Sequence, residues 1–123
     1  MAKIFKEIIA WQKAHELVLK IYKYTKDFPT EEKFGLVSDM RRAARSVPTN
    51  IVEGFARQGH KDALNFFNYS EASLEELKYH TLLAYDLGYI DQKTYNELIK
   101  SEEESGRILN KWMKSYYPKQ NST

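Results

Sequence analysis

The sequence predicts an all-α protein, an antiparallel up-down-up-down four-helix bundle with a proline-kinked second helix, and three observations carry that prediction. Apolar residues recur at three- and four-residue steps through four segments of similar length. Punctuation falls between them, at Pro29, at Gln58-Gly59, at Gly88 and at Pro118. No stretch alternates with period two over more than a few residues, so nothing reads as a strand.

In the first segment Ile4, Ile8, Trp11, Val18, Ile21, Tyr22 and Thr25 mark one face, and Phe28-Pro29 ends the run because the residue before proline avoids the helical region. Thr30 is the expected N-cap of the second helix, with Glu31 and Glu32 at the favourable end of its dipole. Leu36, Met40, Ala43, Ala44, Val47, Ile51 and Phe55 are its apolar face. The third segment ends at Gly88 and is apolar over more than half its circumference, which calls for two sets of neighbours. Tyr69, Tyr79, Tyr85 and Tyr89 are its expected outward tyrosines, suited to an interface with another subunit. Asp91 is placed to cap the fourth helix, whose face runs through Tyr95, Leu98, Ile99, Glu102, Ser105, Gly106, Leu109, Trp112, Met113 and Tyr116. Helices of about 25 residues, each near 37 Å long, joined by short connections, pack as a bundle. Residues 1–118 form the single expected domain and 119–123 a polar tail.

Bulk composition removes several functional classes. The chain has no cysteine, which excludes disulfides, thiolate metal ligands and a cysteine nucleophile and fits a cytoplasmic protein. Its longest apolar runs, "IIAW" and "LLAY", are far short of a membrane span, and charges at Lys3, Lys6 and Glu7 interrupt any signal-peptide core. The net charge of +2 is small, but it is uneven: residues 1–62 hold 12 Lys+Arg against 8 Asp+Glu, and residues 63–123 hold 7 against 9.

The second helix carries the unusual stretch "SVPTNIVEGFARQG". Pro48 lacks the amide that would bond to the Ala44 carbonyl, so a bend is expected there, with Thr49 and Asn50 near enough to serve the freed groups. Ala43, Ala44 and Gly54 allow a neighbouring backbone to approach closely. Four of the five arginines lie in this helix and the turn after it. Arg41, Arg45, Thr49, Glu53 and Arg57 follow one another at four-residue spacing as a polar stripe, flanked by Arg42 and Asn50. Asn68, Glu71 and Glu75 on the third helix are a possible counterpart. Arginine suits both an ion pair with those glutamates and a phosphate, since its planar fork is bidentate toward either.

"MRRAARSVPTNIVEGFARQGHKDALNFFNYSEASLEEL" resembles the four-helix-bundle proteins encoded in intervening sequences of bacterial 23S ribosomal RNA genes, and the resemblance extends upstream through "WQKAHELVLKIYKYTKDFPTEEKFGL" and downstream through "LLAYDLGYI". It implies a cytosolic homopentamer without an established biochemical function. The chain is also similar to the accessory variability proteins of diversity-generating retroelements, pentameric bundles that bind nucleic acid and a reverse transcriptase and are strongly basic. By that resemblance Arg41, Arg42, Arg45, Pro48, Asn50, Glu53 and Gly54 match the central motif.

Enzyme chemistry is not supported. Gln12, Arg57 and Leu77 stand three residues before His15, His60 and His80, so the Glu-x-x-His pair of a di-iron bundle is absent. His15 and His80 read as edge or core residues, and the acids Glu71, Glu75, Glu76, Glu102, Glu103 and Glu104 as solvated faces. No phosphate-cradling loop or nucleophile elbow occurs, and Ser70 and Ser73 read as small residues where helices meet. No metal or cofactor is expected. Two functions remain open. In one, Arg41, Arg42, Arg45, Arg57 and Lys61, with Lys13 and Lys20, meet the phosphates of structured RNA or DNA or a protein bound to it. In the other, the chain is a structural assembly whose arginines pair with Glu71 and Glu75.

Overall fold

The computed structural model describes residues 2–116, so the tail and Pro118 lie outside the described residues. Four helices account for the described chain, α1 (Ile9–Thr25), α2 (Leu36–Phe55), α3 (His60–Asp86) and α4 (Gln92–Tyr116), and no strand occurs among the described residues. Each helix packs against its sequence neighbours, and α4 closes onto α1. Contacts pair rising with falling residue numbers across the α1–α2 and α2–α3 seams. Thr25 and Tyr22 of α1 meet Arg41 and Arg45 of α2. Val47 of α2 meets Ser70 of α3, while Gly54 meets Phe67 and Ala63.

Local chemistry sets the ends. The first helix begins later than its apolar spacing predicts: Phe5–Glu7 form a tighter single turn, Ile8 is extended, and Ile4 stays exposed. Glu7 turns back and accepts the Lys3 amide at 2.6 Å, which holds that turn apart from α1. Thr30 does not cap α2. It opens another short turn, Thr30–Glu32, and α2 starts after Gly35. There the Glu32 carboxylate accepts the Leu36 amide at 3.1 Å and so supplies the cap from outside the helix. A side chain on Gly35 would place its Cβ 2.8 Å from that carboxylate. The other end of α3 follows expectation. Gly88 has φ +80, its amide reaches Tyr85, and the Tyr89 amide reaches Ala84, a paired closure that needs a left-handed residue at Gly88. Asp91 caps α4 through the Thr94 amide at 2.8 Å.

The core is one cluster drawn from all four helices, with Leu17 and Ile21, Met40, Val47 and Ile51, Phe67, Leu74 and Leu77, and Leu98, Leu109 and Met113 at its centre. Phe67 sits edge-on to Trp112 and Tyr116, with ring centres 4.5 and 4.9 Å away. Of the four expected outward tyrosines, Tyr69 and Tyr79 are exposed. Tyr85 instead stacks on Tyr95 at 4.6 Å, and Tyr89 packs on Phe28 and donates to Glu32, because both sit where the α3–α4 turn folds back on the bundle.

Candidate nucleic-acid interface

Helix α2 runs without interruption through Pro48, and small residues stand among the large ones on its buried side. Ala43, Ala44, Pro48 and Gly54 are all buried. A Cβ at Gly54 would fall 2.3 Å from a Phe67 ring carbon and 2.9 Å from the Ala63 carbonyl oxygen, so only glycine fits. Hydroxyls and an amide complete the seam. Ser70 donates to the Val47 carbonyl at 2.7 Å, and Ser46 and Ser73 share a hydrogen bond of 2.7 Å. Asn50 donates to both the Ser46 carbonyl and the Ser46 hydroxyl at 2.9 Å, two residues beyond the Ala44 carbonyl that Pro48 leaves open. Ser70 and Ser73 are thus helix-contact residues.

The polar side of α2 is not one surface. Four-residue steps on a 3.6-residue helix drift by about 40° each, so Arg41 and Glu53 already differ by roughly 120° around α2, and Arg57 lies beyond the helix end at Phe55. The arginines accordingly fall into separate places. Arg41, half-buried, lies with its guanidinium 4.5 Å from the centre of the Tyr22 ring and donates to the Thr25 hydroxyl at 2.9 Å and the Tyr22 carbonyl at 3.3 Å. Arg45, exposed, donates to the Tyr22 hydroxyl at 2.6 Å. Neither meets a carboxylate within 4.0 Å among the described residues, although Arg42 meets Asp39 of its own helix at 2.9 Å. At the far end, Arg57 covers the Phe66 ring at 4.4 Å and pairs with Glu53 at 3.2 Å and Asp62 at 3.9 Å. Lys61 is exposed in the first turn of α3.

The proposed counterpart on α3 faces elsewhere. Glu71 accepts from Asn110 of α4 at 3.1 Å, and Glu75 pairs with Lys78 at 3.0 Å, so within the chain neither reaches an arginine of α2. They line, with Asn68 and Gly106, a surface groove between α3 and α4. Lys13 pairs with Glu16 at 3.7 Å, and Lys20 turns to α4, donating to Ser101 at 2.6 Å with Glu97 at 3.8 Å. Both lysines are tied to partners away from the arginine pair.

Two features were not anticipated from the sequence. The aromatic hub of the arginine pair is Tyr22, legible only as an α1 core residue. Glu102, grouped with the solvated acids, is fully buried. Desolvation pushes its carboxyl up to about 7, and Thr81 touches one oxygen at 2.6 Å while the other has no partner. Its place among Leu98, Ser105 and Leu109 on the α4 face was the available signal. His15 lies exposed with its ring parallel to Trp11, and His80 is at a half-buried edge 4.0 Å from Glu76. No cluster of three or more His, Asp or Glu side chains with metal-binding geometry occurs among the described residues. Among the described residues, no helix is long and apolar enough to cross a membrane.

A four-helix bundle with a close, hydroxyl-bonded α2–α3 seam and arginines displayed on α2 defines a class of all-helical proteins. The chain belongs to the 23S rRNA-intervening sequence protein family, whose description matches residues 6–111. A crystal structure of a protein of unknown function from the S23 ribosomal protein family, from Bacteroides thetaiotaomicron VPI-5482, has the same fold, with a TM-score of 0.79 at 21% identity. The match covers 86% of this chain and 96% of that one. No curated protein matches the chain.

Proposed function

We propose that the chain is a non-catalytic, cytoplasmic, nucleic-acid-binding accessory protein that works as a homo-oligomer, a pentamer by the family resemblance. The observation that carries this reading is the pair Arg41 and Arg45, which converge on Tyr22 with no carboxylate in salt-bridge distance among the described residues. A cation held in place by neutral groups keeps its charge for an external phosphate, whereas one already paired has largely spent it. Arg42 adds exposed charge one turn away, offset by Asp39. Arg57 and Lys61 form a second, weaker locus, because Glu53 and Asp62 stand against Arg57. The partner is structured RNA or DNA, or a protein bound to it. Fluorescence anisotropy with an RNA hairpin, between about 50 and 200 mM salt, tests this: binding should weaken with a log–log slope near −0.9 per phosphate contacted. Absence of binding at the low-salt end overturns it.

A second reading, a purely structural assembly, is favoured by the outward side of α3, where Tyr69, Tyr79, Leu82 and Leu87 are exposed. That apolar area exceeds what a solitary bundle needs and fits contact with another copy. Light scattering on the same sample gives the subunit number, and loss of oligomer on Tyr69→Glu with unchanged RNA binding would separate the two roles.

A further inference from the structure

Resting on the nucleic-acid reading, we propose that the α1–α2 face binds a single-stranded nucleic acid, with a base stacked on His15 and phosphates held by Arg45 and Arg41. Three observations on this face point to a single strand rather than a duplex. Trp11 and His15 are stacked, ring centres 5.0 Å apart and planes within 7°, and His15 is exposed. Phe5 braces Trp11 edge-on at 4.9 Å, so the platform is fixed from behind. Leu19, one turn beyond His15, is 57% exposed, and Tyr22 with its arginines follows at the next turn. Residues 11, 15, 19 and 22 are spaced by four, four and three, hence on one side of α1. The distance from His15 to Tyr22 is about 10 Å along the axis.

The charge pattern agrees. Thr49, across the seam on α2, is exposed and neutral. The nearest acids in sequence, Glu16 beside His15 and Asp39 two residues before Arg41, are engaged by Lys13 and Arg42. An acid-poor strip carrying a stacked aromatic, an exposed aliphatic residue and two guanidiniums offers a π-face to any base and donors to the backbone. That is the pattern by which single strands are held with little sequence preference. Duplex binding draws almost wholly on phosphate contacts, and further basic groups, Arg57 and Lys61, lie beyond the opposite end of α2.

The test is anisotropy of the full chain with a fluorescent oligouridine RNA of about 12 nucleotides, beside the hairpin. The single strand should bind more tightly. His15→Ala should weaken it about tenfold without changing the salt slope, since stacking is not ionic. Arg45→Ala should reduce the slope by about 0.7, the value of one single-strand phosphate contact. Unchanged single-strand binding by His15→Ala, or tighter binding of the hairpin, overturns this proposal and leaves the nucleic-acid reading standing. Failure of both RNAs to bind at about 50 mM salt overturns the two together.

Discussion

Helix α3 has two long seams, and they are built on opposite principles. Against α2 it is closed by small residues, with Gly54 against the Phe67 ring, and the hydroxyls there have partners, the buried Ser70 on the Val47 carbonyl and the half-buried Ser46 on Ser73. Against α4 it meets a buried carboxyl of that helix, Glu102, with one oxygen unpartnered, and α4 also buries a Ser105 hydroxyl without a partner. A seam with its polar groups satisfied and no room to spare is stiff and intolerant of substitution. A seam with a buried acid is conditional, because its stability depends on whether that acid holds a proton.

The sharpest way to break the closed seam is Gly54→Ala. The added Cβ meets the Ala63 backbone carbonyl as well as the Phe67 ring, so a side-chain rotation cannot relieve it. Overpacking of this kind costs about 1–3 kcal/mol or more, against about 1 kcal/mol gained from alanine's helix propensity. A net loss of about 2 kcal/mol in urea unfolding, from the upper end of that range, is expected, partly recovered in the double variant Gly54→Ala/Phe67→Leu, which removes ring atoms from the clash. Equal loss in the single and double variants would show that the ring is not the obstacle.

The conditional seam is tested by pH. The Thr81 hydroxyl lies 2.6 Å from Glu102 and 3.0 Å from the Leu77 carbonyl, and it has one proton to give. With Glu102 protonated both contacts are hydrogen bonds, the acid donating to Thr81 and Thr81 donating to Leu77. With Glu102 ionised, one of the two is lost. This agrees with burial pushing the carboxyl up to about 7, against the ordinary 4.5. Because the folded value is the higher, the stabilising contribution is present in full below about 4.5 and is lost as pH rises through 7. Raising the pH from about 5.5 to 8 should therefore cost on the order of 2 kcal/mol at this site. Glu102→Gln, whose amide can donate to Thr81 at every pH, should remove that dependence and stabilise the protein at pH 8. A Glu102→Gln melting profile parallel to that of the wild type would contradict the assignment. A smaller effect belongs to Ser70→Ala, about 1 kcal/mol for one buried hydroxyl bond.

The same contrast explains what could be read from the sequence. Helix count, the breaks at Gly59 and Gly88 and the Asp91 cap follow from local rules, because apolar period and turn chemistry act within a few residues. The close approach at Ala43, Ala44 and Gly54 was legible as well, since small residues on a helix announce a neighbour. The start of α2 was not. Glu32 caps it from the preceding turn, so a sound N-cap residue at Thr30 was outweighed by a carboxylate three-dimensionally better placed. Nor was the splitting of the arginines. Residues four apart look aligned over one turn, whereas the 40° drift per step accumulates from Arg41 to Glu53 and α2 ends at Phe55, before Arg57. Glu102 was hidden in the run "SEEES", where composition suggests a wet surface and only the register of α4 places one of the three glutamates inside.

The smallest expected effect is the one most closely tied to function. Arg45 touches the protein through a single hydrogen bond to an accessible tyrosine hydroxyl, and it fills no cavity. Arg45→Ala should leave unfolding free energy within about 0.5 kcal/mol of the wild type, as for an ordinary surface site. Arg41 is different, since its guanidinium stacks on Tyr22 and is bonded to Thr25 and the Tyr22 carbonyl, so its replacement should cost more, about 1 kcal/mol. The pair thus divides its labour, with Arg41 anchoring Tyr22 and Arg45 projecting from it. If Arg45→Ala instead proved as destabilising as a broken buried ion pair, about 3–5 kcal/mol, its partner would have to be a carboxylate on another subunit, and the arginines would belong to the assembly rather than to a ligand.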